Sequence, residues 1–328
     1  MRVLNFPGLV CLALAMSICV AGSRLAAAQV WPVQPIRVIV PFAAGNVLDV
    51  MLRAMGERAR ELSGQPFVVE ARPGAGGIVA AQALMASKPD GYTVLLATQG
   101  MLAINPHIYR KLPYDPLRDF VLVSEVATSP MLLATHPSVP AASMAEFVAW
   151  ANANKGRVSY GSISPGTISH FLAETINFDH GTAMTHVPYK GSLALLPDLL
   201  AGRIQAAFVS VDTVRQQVQS GKLNAVLLSG ARRDASLANV PTAREAGYAR
   251  LEANAWSGFV VPAGTPEASV HALAELTRKI IATPQVAERV TQLGMGLVGS
   301  TPGEFAARAR SETDKWAGIV KASGFAAD

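Results

Sequence analysis

Short runs of β-branched residues alternate with helical patterns along most of this chain of 328 residues. The runs 36–40, 93–97 and 206–209 have the composition of strands, whereas 48–62 and 169–177 place apolar residues at helical spacing. Regular alternation of strand and helix is typical of βαβ units, which build parallel sheets. The pattern therefore predicts an α/β protein, and the length suits about two domains.

The first 28 residues have the pattern of a secretory signal peptide. Arg2 precedes an apolar stretch over 9–21, and three alanines over 26–28 form the cleavage sequence. We expect cleavage after Ala28 and export of the remainder. Both cysteines of the chain lie in this segment, so the exported protein would have no disulfide and no cysteine-based metal site. No later apolar run reaches the roughly 18 residues that a membrane span needs.

The charge of the chain is small and dispersed. The 28 basic and 23 acidic residues give a formal net charge of +5, which falls to +3 when the two arginines of the predicted signal peptide are removed. Arg232-Arg233 is the densest basic cluster. Because a nucleic-acid-binding surface needs a concentrated basic stripe interleaved with aromatic residues, we expect no nucleic-acid partner.

Common catalytic and cofactor motifs do not occur in the sequence. There is no G-x-S-x-G elbow, no H-E-x-x-H pair and no G-x-x-x-x-G-K-[ST] loop, and the six histidines are scattered. We expect no metal, no cofactor and no enzymatic activity. One alternative stays open: Ser162 and His170 could act as nucleophile and base of a secreted hydrolase, although no acid is assigned to orient the histidine.

Four glycine-containing loops follow predicted strands and open predicted helices, at 41–46, 72–77, 161–167 and 188–192. Ligands of parallel α/β sheets bind at the carboxyl ends of the strands. Glycine lets the backbone approach a ligand closely, and free N–H groups together with the helix dipole favour an anion. A carboxylate therefore fits such loops without an arginine, although a single loop of this kind also serves as an ordinary chain reversal.

A series of sequence blocks carries a more specific signal. The blocks are, in order, 31–42 (WPVQPIRVIVPF), 72–77 (RPGAGG), 88–93 (KPDGYT), 112–116 (LPYDP), 185–191 (THVPYKG), 240–242 (VPT) and 262–266 (PAGTP). They resemble the signatures of the tripartite tricarboxylate transporter receptors, also called Bug proteins. The resemblance covers essentially all of 29–328.

The resemblance implies a periplasmic binding protein of the type II-like class, with two α/β lobes and a ligand cleft between them. We expect lobe 1 to comprise 29–125 and 253–328 and lobe 2 to comprise 126–252, with crossing segments near 121–126 and Arg250. Such a receptor, a monomer in the periplasm, would capture a small organic anion by lobe closure and deliver it to a tripartite membrane permease. The alternative is a sensory binding protein that signals to a membrane histidine kinase.

The resemblance also implies which residues line the cleft. One wall would carry Phe42, Ala43, Ala44, Gly45, Asn46, Asp49 and Thr98, and the other would carry Ser162, Gly166, Thr167, His170, Tyr189 and Lys190.

Three positions depart from the family pattern. Asn46 stands where a second glycine is usual, so its amide would add a polar group to the pocket. Ala71 stands where asparagine is frequent, and Val209 stands where an aspartate often follows Phe208. Without that acid, recognition of an amino group is less favoured, so we expect a plain carboxylate rather than an amino acid; Asp212 is a candidate substitute for the acid.

Several of these residues also have a structural interpretation. Asp49 either orders water or meets a cationic group of the ligand, or it stabilises the helix dipole by about 0.3–1 kcal/mol. Lys190 either attracts an anion or is a solvated charge at the cleft edge. Tyr189 lines the pocket or packs in the core with its hydroxyl bonded. His170 contacts the ligand or supports a hydrogen-bond network behind its loop.

Overall fold

The structure is a computed structural model and describes residues 31–327. The predicted signal peptide at 1–28, its cleavage site and both cysteines lie outside the described residues. Within 31–327 no helix combines the length and the apolar character that a membrane crossing requires.

The predicted alternation of strands and helices is confirmed in the first part of the chain. The elements are β1 (Ile36–Val40), α1 (Val47–Ser63), β2 (Phe67–Ala71), α2 (Ile78–Met85), β3 (Thr93–Thr98), a π-helical turn (Gly100–Ile104) and α3 (Asn105–Ile108). β1 pairs in parallel with β2 and with β3.

The middle of the chain repeats this alternation. Its elements are β4 (Phe120–Thr135), α4 (Met144–Ala153), β5 (Ser159–Ser162), α5 (Ile168–His180), β6 (Thr185–Pro188), α6 (Ser192–Leu200), β7 (Ala206–Ser210), α7 (Val211–Gln219) and β8 (Asn224–Leu228). β5 pairs in parallel with β6 and with β7, while β4 pairs antiparallel with β7 and β8.

The last part of the chain returns to the first sheet. Its elements are β9 (Asn254–Pro262), α8 (Glu267–Ile281), α9 (Pro284–Gln292), β10 (Gly296–Leu297) and α10 (Pro302–Ser323). β9 is antiparallel to both β3 and β4, so the strand order across the molecule is β2-β1-β3-β9-β4-β7-β5-β6.

Strand β4 belongs to both halves of this order. Its residues up to Pro130 pair with β9, and its residues from Met131 onward pair with β7. The strand that pairs with β4 thus changes between Pro130 and Met131, although β4 itself is continuous. The division into lobes at 125/126 and 252/253 stays a prediction.

Each sheet is covered by helices that bury apolar side chains. On one face of the first sheet, Ile36, Val38 and Val40 of β1 share a cluster with Met51 and Leu52 of α1. Complete burial of such a side chain contributes about 1.5–3 kcal/mol. These contacts hold α1 against β1, and with it the loop that joins them.

The C-terminal helix α10 packs against both halves of the molecule. The ring of Phe305 lies edge-on to Trp256 of β9, with centroids 5.6 Å apart. About three helical turns later, the ring of Trp316 lies 6.2 Å from that of Phe171 in α5. Both side chains are fully buried. α10 therefore joins the core beneath β9 to the helix that follows β5.

Candidate functional site

Two groups of strands end at loops that were predicted to bind a ligand. Because β1, β2 and β3 are parallel, their carboxyl ends lie at one edge of the first sheet, where the loops 41–46 and 72–77 begin. β5, β6 and β7 are likewise parallel and end together at one edge of the second sheet. This is where ligands bind in parallel α/β sheets.

The first loop is organised by Asn46, the N-cap of α1. Its Oδ1 accepts the N–H groups of Leu48 at 2.8 Å and Asp49 at 3.0 Å, and its Nδ2 donates to Ala43 O at 2.7 Å. The backbone of Asn46 is extended, with φ −76° and ψ 170°, so no left-handed conformation is needed there. The amide is thus bonded within the loop.

Asp49 fastens the same loop from the first turn of α1. The carboxylate is only 4% exposed; its Oδ2 accepts from Gly45 N and from Arg53 Nε, each at 3.0 Å. Burial opposes ionisation, but the Gly45 N–H and the Arg53 guanidinium outweigh it, so the pKa of Asp49 lies below its usual value. Gly45 has φ +86°, a conformation that suits glycine. Asp49 thus holds Gly45 in place.

Phe42 is half-buried, whereas Ala43 and Ala44 are exposed. Thr98 ends β3 half-buried, and its Oγ1 accepts the Met101 N–H at 3.4 Å. The next residue, Gln99, is 3% exposed and donates through Nε2 to Glu312 Oε2 at 2.6 Å. Sequence analysis did not single out Gln99, because only the packing of α10 against β3 reveals its partner.

The loop between β5 and α5 is held by its own polar side chains. Thr167 Oγ1 donates to Ser164 O at 2.7 Å, and Gly166 N donates to His170 Nδ1 at 3.3 Å. Ser169 Oγ donates to Phe208 O at 2.6 Å, which ties the start of α5 to β7. The predicted contact residues Thr167 and His170 therefore shape the loop from within.

His170 belongs to a stack of rings behind this loop. Its ring lies 4.0 Å from that of His186, nearly parallel to it, and Tyr160 stacks on His186 at 5.1 Å. Burial, with a further contribution from His186, lowers the pKa of His170 to about 3. Burial also lowers the pKa of His186. Both rings are therefore neutral at physiological pH, in agreement with the structural interpretation of His170.

The structure pairs Ser162 with His186 and not with His170, the partner that the hydrolase alternative assigned to it. Its Oγ lies 2.7 Å from Nε2 of His186, and its side chain is completely buried. A nucleophile needs access to its substrate, which this serine lacks. Sequence analysis missed His186, although its place in the 185–191 block, within a strand beside β5, was a usable signal.

The loop between β6 and α6 is tied to the preceding one. Tyr189 N donates to Ser162 O at 3.0 Å, and Gly191 N donates to Ile163 O at 2.7 Å. The Tyr189 hydroxyl donates to Asp198 Oδ2 at 2.7 Å; burial and this bond raise its pKa to about 12. Lys190 is exposed between them.

Asp212 lies apart from these loops in its contacts. It is in the first turn of α7, and a Cβ placed on Gly294 would lie 3.3 Å from its Cβ and 3.2 Å from Arg215 Nη2. Burial raises the pKa of Asp212, against opposing hydrogen bonds from Ser210 and backbone N–H groups. The structure thus packs Asp212 against the turn that follows α9.

The segment Asn105 to Tyr109 touches loops of both sheets. Asn105 Nδ2 donates to Gly76 O at 3.0 Å, in the loop after β2. Ile108 lies so close to Gly166 that a Cβ on this glycine would overlap its Cδ1. The loops that follow β2 and β5 therefore lie on either side of one short segment.

The start of each helix at these edges carries N–H groups directed toward the loops. Val47, Ile168 and Ser192 are the first residues of α1, α5 and α6, and their N–H groups have no acceptor within their helices. Such groups, with the helix dipole, favour a negatively charged ligand. Between residues 31 and 327 there is no cluster of three or more His, Cys, Asp or Glu side chains that could hold a metal ion.

Comparisons with known proteins agree with this architecture. The profile of the family described as tripartite tricarboxylate transporter family receptor matches residues 51–325. Protein BugT of Bordetella pertussis is 32% identical over 313 residues, which cover 94% of this chain and 96% of BugT. The predicted family resemblance is confirmed.

Two solved structures are similar over almost their whole length. A protein of R. palustris solved with adipate has a TM-score of 0.82 and 29% identity, and the match covers 90% of this chain and 99% of that one. MatC of Rhodopseudomonas palustris with bound malate has a TM-score of 0.79 and 28% identity, with 88% and 100% covered. The predicted type II-like fold, with two lobes and a cleft between them, is thereby confirmed.

Proposed function

This chain belongs to the tripartite tricarboxylate transporter receptor family and is a solute-binding receptor, and on this premise we propose that its solute is a small carboxylate held between the two lobes. The single observation that carries the proposal is the placement of helix starts at both sheet edges, with the N–H groups of Val47, Ile168 and Ser192 available to an anion. The adipate and malate of the two similar structures are carboxylates.

The binding residues proposed are those of these loops, but with divided roles. Main-chain N–H groups at the helix starts that follow the loops, those of Val47, Ile168 and Ser192, would contact the carboxylate. Asn46, Asp49, Thr167 and His170 would hold these loops in position through the hydrogen bonds described above. Each charge-assisted hydrogen bond to the ligand contributes about 1.5–3 kcal/mol before the costs of desolvation and closure.

A plain carboxylate is favoured over an amino acid. Val209, at the position where the family often has an aspartate, is fully buried and pairs with Leu132 across β7 and β4. Asp212, the candidate substitute, packs against Gly294 beside Arg215. Val209 carries no carboxylate, and that of Asp212 is half-buried beside Arg215.

Closure would take place about the elements that both halves share. β4 changes its partner between Pro130 and Met131, and β9 begins opposite Pro130 at Asn254, so we place the hinge at these positions. We also propose that the receptor acts in the periplasm as a monomer, since one chain supplies both walls, that it performs no covalent chemistry, and that it delivers its solute to a tripartite membrane permease.

A thermal-shift screen tests the proposed ligand class. Protein refolded from urea, which removes co-purified solute, is screened against mono-, di- and tricarboxylates, aromatic acids and amino acids. A ligand present at 100 times its Kd should add about 2.7 kcal/mol to the free energy of unfolding. A shift with amino acids alone contradicts the role assigned to Val209, and no shift with any carboxylate contradicts the proposal.

The transport role is tested in the cell. Deletion of the gene should abolish uptake of the solute identified by the screen. Unchanged uptake together with a lost transcriptional response to that solute would instead establish the sensory role.

A further inference from the structure

Leu193 is the most exposed of the large hydrophobic side chains that the structure describes, with 86% of its surface accessible. It lies in the first turn of α6, one residue after Ser192. Leu195 and Leu199 of the same helix are completely buried on the side that packs against β5 and β7. The exposure of Leu193 is therefore not a consequence of a loosely packed helix.

Leu193 lies beside the loop that follows β5. The N–H of Gly191, two residues earlier, donates to Ile163 O at 2.7 Å, and this joins the start of α6 to the loop after β5. That loop continues to Gly166, which contacts Ile108 of the first part of the chain. A residue at the start of α6 thus belongs to the same loop cluster as the proposed site.

Hydrocarbon side chains also dominate the exposed part of the first loop. Ala43 and Ala44 are exposed, whereas the amide of Asn46 bonds to Ala43 O and to the first N–H groups of α1. Asp49 is buried beneath the loop and bonds to Gly45. The surface that this loop offers to a ligand consists mainly of main-chain groups and methyl groups.

The polar side chains at the opposite edge are already paired. Ser162 bonds to His186, Thr167 to Ser164 O, and the Tyr189 hydroxyl to Asp198. None of these three hydroxyl groups is free to donate to a ligand hydroxyl without giving up its present bond. An unpaired buried hydroxyl is unfavourable, whereas a methylene group against leucine is favourable.

We propose that Leu193 contacts the hydrocarbon part of the ligand and that the receptor selects carboxylates with unsubstituted chains over their hydroxylated analogues. The inference rests on the proposed function and specifies its ligand class. Rejection of an added hydroxyl by an apolar surface is worth about 10- to 100-fold in affinity. Loss of the contact with Leu193 should lower the ligand affinity about tenfold.

Matched pairs of acids that differ by one hydroxyl test this selection in calorimetric titrations of the refolded protein. The pairs are succinate with malate, glutarate with 2-hydroxyglutarate, and tricarballylate with citrate; adipate extends the chain-length series. Leu193→Ser is compared with Leu117→Ser, which removes another exposed leucine, 49% accessible, in the segment that precedes β4. Both variants should keep the unfolding midpoint of the parent protein, because neither side chain is part of the core.

The expected result is that the hydroxyl-free member of the bound pair binds at least tenfold more tightly. Leu193→Ser should weaken its binding about tenfold and reduce the ratio within the pair, while Leu117→Ser changes neither. Equal or tighter binding of the hydroxylated member overturns the inference and leaves the proposed carboxylate receptor intact, as does a Leu193→Ser variant with unchanged affinities. Failure of every acid to bind overturns both the inference about Leu193 and the proposed carboxylate receptor.

Discussion

Acidification should destabilise this protein through its buried histidines, and the effect can be assigned to one of them. His170 is 2% exposed, accepts the Gly166 N–H through Nδ1 and stacks on His186. The other polar groups that face the pair are Ser162, whose Oγ lies 2.7 Å from His186 Nε2, Glu174, whose Oε1 lies 4.0 Å from His170 Nε2, and the hydroxyl of Tyr160, which donates to Glu174. A proton on Nδ1 would remove the acceptor of the Gly166 N–H and place a charge in the ring stack.

The sign and size of the effect follow from linkage. The pKa of His170 is about 3 in the folded protein and 6.5 for an unperturbed histidine. The unfolded chain therefore binds the proton first, so stability is unaffected above about pH 6.5 and decreases as the pH falls from there toward 3. Between pH 7 and pH 5 the loss from this residue is about 2 kcal/mol. The lowered pKa of His186 acts in the same direction.

Urea unfolding at pH 7 and pH 5 measures this loss. In His170→Asn the amide oxygen replaces Nδ1 as an acceptor and does not titrate, so the variant should lose about 2 kcal/mol less than the parent protein between the two pH values. His271→Asn, at a position exposed on α8, is the control and should follow the parent. Identical losses in the parent and in His170→Asn would refute the assignment, because His170 would then not be the group that takes up the proton.

Three further substitutions test the site and its supports. Gly166→Ala should lower both the free energy of unfolding and the carboxylate affinity, because the added Cβ overlaps Ile108. Its control is Gly221→Ala, where the glycine has the same φ of +71° but no atom lies within 4 Å of the added Cβ, so only about 1–2 kcal/mol of backbone strain is expected. Equal effects of the two substitutions in urea unfolding would show that the contact with Ile108 is unimportant. Asp49→Asn should reduce the free energy of unfolding by about 1–2 kcal/mol and weaken ligand binding in calorimetry, since the side chain that accepts the Gly45 N–H loses its charge. An unchanged Kd would show that Asp49 does not support the binding site. Thr301→Ala removes the capping box of α10 and should cost about 1 kcal/mol in urea unfolding with no change in Kd, which makes it the control for general destabilisation.

Much of the fold could be predicted from the sequence because burial imposes a period on each element. The run 36–40 and the segment 48–62 were recognisable as strand and helix, and the structure places them at Ile36–Val40 and Val47–Ser63. The change of partner within β4 was not recognisable. The strand continues across Pro130 without a break, and a sequence does not show which strands pair with either part of it.

The residues near the site could be predicted better than their roles. Asn46, Thr167 and His170 occur at the expected loops, yet each of them bonds within its own loop, and a sequence does not show the direction in which a side chain donates or accepts. His186 and Gln99 were missed because their partners, Ser162 and Glu312, come from other elements. Such pairs arise only from tertiary packing.

The position of β9 constrains the order in which the chain can fold. In the sheet it lies between β3 and β4, although it is synthesised after the whole of the second lobe. Until Asn254–Pro262 has been synthesised, the edges of β3 and β4 that pair with β9 therefore have no partner. Pairings between residues so distant in the chain also lower the folding rate. A newly made molecule thus spends an extended period with its first lobe incomplete.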